Sequence, residues 1–296
     1  MKLSLRHLLS ALLLIFSSLI LISCRTNKQS PPSDAPRLPL DVSLQDVSFH
    51  SASLDKSIQY RVILPKPLVA NQKYPTIYLL HGGGGNFRDW SNYSEVARFA
   101  EHGCILIMPE GHSSYYTNAF DRPKDRYEDY ITKDLITDVE AKFPVLPGGP
   151  NRAIIGVSMG GFGAIKIALV YPELYSFAGG LSPALDVPSR PISVKRIEQW
   201  PRFRAIFGPW QGQAQKDSDP FLLVKSADPG RTPYIFLTCG EQEGLLPANK
   251  KFANILSERK FQFEFHSSPG NHDWNQWNSW LPELSKSVEN HFFHKR

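Results

Sequence analysis

The chain has 296 residues, 42% hydrophobic and 21% charged, with three cysteines and a formal net charge of +5. The apolar content excludes a disordered chain, and three cysteines without a C-x-x-C pair build neither a disulfide scaffold nor a structural zinc site. Residues 1–23 hold Lys2 and Arg6 and no acid, so without them the charge falls to +3. With no basic run longer than a pair, that surplus is no nucleic-acid footprint.

Lys2 and Arg6 are followed by an apolar run from Leu8 to Ile22, interrupted by Ser10, Ser17 and Ser18. The run is shorter than the roughly 20 residues of a membrane-spanning helix and suits a secretory signal. Its end, Leu21-Ile22-Ser23-Cys24, resembles the lipobox of bacterial lipoproteins. The resemblance implies cleavage before Cys24 and a diacylglycerol on its sulfur. Residues 1–23 are therefore expected to be a signal peptide, with Cys24 anchoring the chain to a bilayer in the cell envelope. Residues 24–41, with Pro31, Pro32, Pro36 and Pro39 among polar neighbours, read as an extended tether.

From Val42 onward the pattern becomes that of a folded body reaching residue 296. Val47–His50 and Ile58–Leu64 predict two edge strands. Apolar runs at 75–80, 104–109, 153–155, 177–181 and 234–238 predict short buried strands. Helical spacing marks 127–143, 159–170, 250–259 and 282–292. Strands alternating with helices predict a mostly parallel sheet covered on both faces. Residues 186–231, with Trp200, Phe203, Phe207, Trp210 and several prolines, interrupt the alternation and read as an insertion near the strand ends.

Gly156-Val157-Ser158-Met159-Gly160 lies between a predicted strand and a predicted helix. This is the context of a nucleophile elbow, a tight turn that lifts a serine hydroxyl above a sheet. Gly156 and Gly160 remove β-carbons that would collide there. The helix start offers backbone N–H groups to a developing negative charge. His81-Gly82-Gly83-Gly84-Gly85 closes an earlier strand, and no Gly-Lys-Ser/Thr follows, which excludes a phosphate-binding P-loop. With Met159 N–H, this loop is a candidate oxyanion hole through Gly83, with Gly82 as the alternative; His81 is expected to order the loop rather than move protons.

A serine nucleophile needs a histidine base and a carboxylate, in the chain order serine, acid, histidine. Of nine histidines, His7, His50, His81, His102 and His112 precede the elbow. His266 sits in an alternating strand pattern, and His291 and His294 fall in the last helix. His272, in the loop Pro269-Gly-Asn-His-Asp-Trp274, is the candidate base. Beyond the strand 234–238, Glu241 and Glu243 compete as the acid, with Asp186 as an outside candidate. Trp274, Trp277 and Trp280 are expected to pack this segment onto the core; a substrate wall is the other reading. Cys104 and Cys239 read as buried apolar residues that could pair outside the cytoplasm only if their α-carbons come within about 7 Å. No cofactor or metal is expected.

Tyr78-Leu-Leu-His-Gly-Gly-Gly-Gly-Asn86, Tyr115-Tyr-Thr-Asn118, Tyr127-Glu-Asp-Tyr130, Gly156-Val-Ser-Met-Gly-Gly-Phe-Gly-Ala164, Cys239-Gly with an acid three residues after the glycine, and Gly270-Asn-His-Asp-Trp274 occur together. Together they resemble the esterase D family of α/β-hydrolases, over roughly Val47 to Phe292. The resemblance implies an α/β-hydrolase fold and acyl transfer from ester substrates. It also implies Ser158 as nucleophile, His272 as base, Glu243 as acid, and Gly83 with Met159 as oxyanion hole. The family usually carries aspartate where Glu243 stands. An acyltransferase with the same triad, or a non-catalytic binding protein on this scaffold, are the competing expectations.

Overall fold

The computed structural model describes residues 34–190 and 200–293. The expected signal peptide, Cys24, the tether up to residue 33 and residues 191–199 of the insertion lie outside the described residues. Ala35–Arg296 is one compact unit; the other, Met1–Asp34, falls outside the described residues but for Asp34. Within the larger unit the chain is already docked before the first strand, since Arg37 N–H donates to Ser91 O at 2.8 Å.

Eight strands form one sheet: β1 (Val42–Ser51), β2 (Lys56–Pro65), β3 (Thr76–Leu80), β4 (Ile105–Pro109), β5 (Arg152–Val157), β6 (Phe177–Leu181), β7 (Tyr234–Gly240) and β8 (Phe263–Ser268). Their spatial order is β1-β2-β4-β3-β5-β6-β7-β8. Pairing is antiparallel through β2 and parallel from β4 to β8. β2 is not an edge strand as its sequence suggested: it carries β1 on one side and β4 on the other. The β1 hairpin partner shields it, so Tyr60, Val62 and Ile63 are fully buried.

The central strands are short and apolar because both faces are covered. Successive residues go to opposite cores. Tyr78, Leu80, Ile154 and Leu237 join one cluster, while Ile77, Leu79, Ile155 and Phe236 join the other. The first cluster is closed by α1 (Leu135–Lys142), through Leu135 and Val139, and by α2 (Met159–Val170), through Ile165 and Ala168. The second is closed by α3 (Leu281–Phe293), through Leu284 and Val288. The helical stretch before α1 contains a π-turn, Tyr130–Asp134, which regular spacing does not reveal.

Three short helices, Trp200–Phe207, Gln213–Asp217 and Pro220–Ser226, lie in the described part of the insertion between β6 and β7. Ile206 and Phe207 pack against Phe162 of α2, with Tyr115 and Phe203 completing the cluster. The insertion therefore sits beside the start of α2, at the carboxyl ends of the parallel strands.

Candidate active site

β5 ends at Val157 and α2 begins at Met159, so Ser158 alone makes the turn, at φ 54° and ψ −111°. A non-glycine residue is held in that left-handed region only where its surroundings impose it. Here they do: Ser158 N–H donates to Leu181 O (2.9 Å), and Ser158 O accepts from Phe162 N–H (3.0 Å) and Ala184 N–H (3.1 Å). The two motif glycines serve different contacts. A β-carbon on Gly156 would lie 2.2 Å from the Gly160 carbonyl carbon, across the elbow. One on Gly160 would lie 2.2 Å from Leu80 O, so this glycine lets α2 rest on the end of β3.

His272 follows β8 and meets the serine from across the sheet edge. Its Nε2 lies 2.8 Å from Ser158 Oγ, and its Nδ1 lies 2.6 Å from Glu243 Oε2. Glu243 stands just beyond β7 with its side chain wholly buried, whereas Glu241 is exposed to solvent. Asp186 pairs with Arg190 instead. The loop thus brings Glu243, not Glu241 or Asp186, to the histidine.

The other oxygen of Glu243 is also engaged. Oε1 accepts from Ser182 Oγ–H at 2.6 Å and from Gly240 N–H at 2.7 Å. Burial pushes this carboxyl up, but the hydrogen bonds from His272, Ser182 and Gly240 outweigh it and hold the group below its ordinary range. Ser182 is itself fixed by Trp277, whose indole N–H donates to Ser182 Oγ at 3.0 Å. The Trp277 ring also lies edge-on to His272, with centroids 5.2 Å apart. Trp274 packs against Trp90 and Trp277, and Trp280 stacks on His266. The tryptophans pack the segment, as expected. The link through Ser182 was not legible, because a serine just past β6 resembles any turn residue.

The glycine loop lies against the elbow. A β-carbon on Gly82 would be 3.7 Å from Ser158 Cβ, and one on Gly83 3.9 Å from Met159 Cβ. Among the described residues, neither Gly83 N–H nor Met159 N–H donates to a protein acceptor. Both remain available to a developing oxyanion. His81 is buried, with Nε2 accepting from Gly111 N–H (2.9 Å) and Nδ1 donating to Gly82 O (2.8 Å). It orders the loop. Trp90 Nε1–H on Leu80 O (3.0 Å) and Tyr116 O–H on His81 O (3.1 Å) brace the same turn.

One buried charge escaped the sequence reading. Lys166, fully buried in α2, pairs with Glu128 and donates to Thr117 Oγ1 (2.9 Å) and Tyr116 O (3.2 Å). This cation ties the Tyr115–Thr117 loop to the helix that carries the elbow. Tyr115 meets Phe162 and Phe207 edge-on, forming an aromatic wall next to that helix. Cys104 and Cys239 are free and buried. Four strand spacings separate β4 from β7, about 19 Å, far beyond the roughly 7 Å that a disulfide spans.

Known proteins resemble this chain in sequence and in fold. An acetyl esterase of Caldicellulosiruptor saccharolyticus is 26% identical over 256 residues, covering 81% of this chain and 96% of that one. The diacylglycerol acyltransferase/mycolyltransferase Ag85C of Mycobacterium avium is 25% identical, covering 72% of this chain and 69% of the relative. Among solved structures, the fluorophosphonate-binding serine hydrolase FphF of Staphylococcus aureus shares the fold at a TM-score of 0.72 and 24% identity, over 85% of this chain and 98% of that one. The family model described as "Putative esterase" matches residues 51–288. The chain belongs to this esterase family, on an α/β-hydrolase fold.

Proposed function

We propose that this chain is a membrane-anchored serine esterase that hydrolyses carboxylic esters through an acyl-enzyme on Ser158. The observation that carries the reading is the unbroken line from Ser158 Oγ through His272 to the buried Glu243 carboxylate. With Nδ1–H given to Glu243, His272 presents an unprotonated Nε2 to the serine. Ser158 Oγ attacks the ester carbonyl carbon while Nε2 takes its proton. The carbonyl oxygen, now an anion, accepts from Gly83 and Met159 N–H; each such donor is worth about 3–4 kcal/mol in the transition state. The imidazolium then protonates the leaving alcohol, and a water, deprotonated by the same Nε2, releases the acid and restores the serine.

Anchoring rests on Cys24. Two acyl chains hold a protein stably on a bilayer, where one does so only marginally. Export removes the enzyme from cytosolic thioesters and favours esters of the envelope or of external polymers, and the acetyl esterase relative favours small acyl groups. A second reading, transfer of the acyl group to an alcohol rather than water, is favoured by the acyltransferase relatives. Turnover of p-nitrophenyl acetate and fluorophosphonate labelling, both abolished in Ser158→Ala, test the first reading. A folded enzyme that neither labels nor hydrolyses overturns it. Product analysis with a competing alcohol separates hydrolase from transferase.

A further inference from the structure

The two N–H groups offered to the oxyanion sit on separate elements. Met159 opens α2, and Gly83 lies in the loop after β3. Both must stand about 2.7–3.1 Å from the place the oxyanion takes, so the gap between the two elements has to be fixed. A third segment, the loop 110–118 after β4, touches both.

On one side this loop holds the glycine loop. Gly111 N–H donates to His81 Nε2 (2.9 Å), Tyr116 O–H to His81 O (3.1 Å), and Phe87 N–H to Glu110 Oε2 (3.4 Å). The first two grip the residue directly before Gly82 and Gly83. On the other side Lys166 pins the loop to α2. Its ammonium has three N–H groups. The fold supplies three acceptors, Tyr116 O (3.2 Å), Thr117 Oγ1 (2.9 Å) and the Glu128 carboxylate. The other oxygen of Glu128 accepts from Tyr171 O–H (2.8 Å).

Tyr116 is the stiff part of this connection. Its ring is fully buried between α2 and Gly111. A β-carbon on Gly163, one turn beyond Met159, would lie 2.7 Å from Tyr116 Cδ2, so the ring bears directly on the helix backbone. One on Gly111 would overlap the phenol end. Tyr115 and Tyr116 both have positive φ, at 55° and 50°. Bulky residues keep that conformation only where the surroundings impose it, and such residues cluster at functional sites. Lys166 grips this pair: it bonds Tyr116 O, and Thr117 Oγ1 passes the contact on to Tyr115 O (3.0 Å). A buried ion pair adds little stability over apolar residues of the same size. What a cation with three fixed acceptors does supply is the place of the loop on the helix.

We infer that Tyr116 and Lys166 are positioning residues that act together as a strut, setting the distance between the Gly83 and Met159 donors. The strut runs from α2 through Lys166 Nζ to the Tyr116 carbonyl, and from the Tyr116 phenol to the His81 carbonyl. None of these bonds involves Ser158, His272 or Glu243. Loss of the strut therefore weakens the hold on the oxyanion and leaves substrate binding and the base unchanged. This inference rests on the proposed serine esterase and deepens it.

The test uses the full-length enzyme with p-nitrophenyl acetate and a methyl trifluoromethyl ketone. Ser158 Oγ adds to the ketone carbon, its proton passes to His272, and the former carbonyl oxygen becomes an anion in the oxyanion hole. Tyr116→Phe removes one O–H and keeps the ring. It should lower kcat by about 10–100-fold, as a displacement of up to 1 Å would. KM should stay within about threefold, and ketone affinity should fall by the same factor as kcat/KM. The acidic limb of the pH–rate profile should not move. Lys166→Met combined with Glu128→Gln removes both buried charges and should act alike. Adding Tyr116→Phe to that pair should cost no more than about threefold further, because both changes break one strut. Tyr171→Phe cuts the same network on the side away from the loop, and should lower Tm while kcat stays within about twofold. A Tyr116→Phe enzyme with parental kcat, a loss confined to KM, a shifted acidic limb, or a Tyr171→Phe enzyme as slow as Tyr116→Phe overturns the strut. Should the Lys166 pair fail to fold, Tyr116→Phe with the ketone decides alone. A parent whose activity survives Ser158→Ala overturns the esterase reading and the strut with it. A Ser158-dependent parent indifferent to Tyr116→Phe overturns the strut only.

Discussion

Replacing Glu243 by glutamine changes one atom and puts the proposed catalytic line to its sharpest test. The carboxylate accepts three hydrogen bonds: from Ser182 and Gly240 N–H at Oε1, and from His272 at Oε2. An amide must place its oxygen at one of these sites and its NH2 at the other. The Gly240 N–H can only donate, so an NH2 at the Oε1 site would set two donors face to face about 2.7 Å apart. The amide oxygen therefore takes the Oε1 site, and the NH2 faces His272. The imidazole answers by accepting at Nδ1 and carrying its proton on Nε2, where it can no longer take the Ser158 proton. The corresponding carboxylate-to-amide change in a serine protease lowers kcat by about 10⁴ for this reason, or about 5.4 kcal/mol of barrier. The same loss is expected for Glu243→Gln, measured as kcat on p-nitrophenyl acetate with the fold checked by circular dichroism. Glu241→Gln, at an exposed position, should stay within about twofold of the parent, since surface changes away from such networks cost little. A Glu243→Gln enzyme within tenfold of wild type, or a Glu241→Gln enzyme that loses most activity, refutes the assignment of the acid.

Three further outcomes follow from the same geometry. Ser182→Ala removes one bond to a buried carboxylate and should cost about 1.5–3 kcal/mol of stability at neutral pH. Glu243 is held below its ordinary range, so the stability it contributes is present above the unfolded carboxylate value and lost as pH falls through the folded one; denaturant titrations should show the Ser182→Ala deficit shrinking in acid, and a deficit independent of pH would contradict this. Gly160→Ala drives a β-carbon against Leu80 O and must push α2 off β3 by about 1 Å, so kcat/KM should fall on the order of 100-fold with a lowered Tm; unchanged activity would refute the close approach. Burial pushes both the Cys104 and Cys239 thiols up to about 12, so iodoacetamide at pH 8 should label neither until the protein is unfolded.

The local grammar of the chain already contained the strand–Ser158–helix elbow, the glycine loop after β3 and the histidine loop after β8. Each is a backbone requirement that only certain residues meet at fixed spacing: glycine where a β-carbon has no room, short apolar runs where both sheet faces are covered. The choice between Glu241 and Glu243 was of another kind. Two glutamates in one turn have the same propensity, and only the fold buries one and leaves the other in water. Ser182, which holds Glu243, and Trp277, which holds Ser182, lie far apart in sequence and meet only because β6, β7 and the segment after β8 converge. Lys166 is a lone charge in an apolar helix by sequence, and only the fold closes Glu128 and Thr117 around it. Backbone geometry is short-ranged and is written into motifs; burial and side-chain convergence are long-ranged and exist only once the chain has folded.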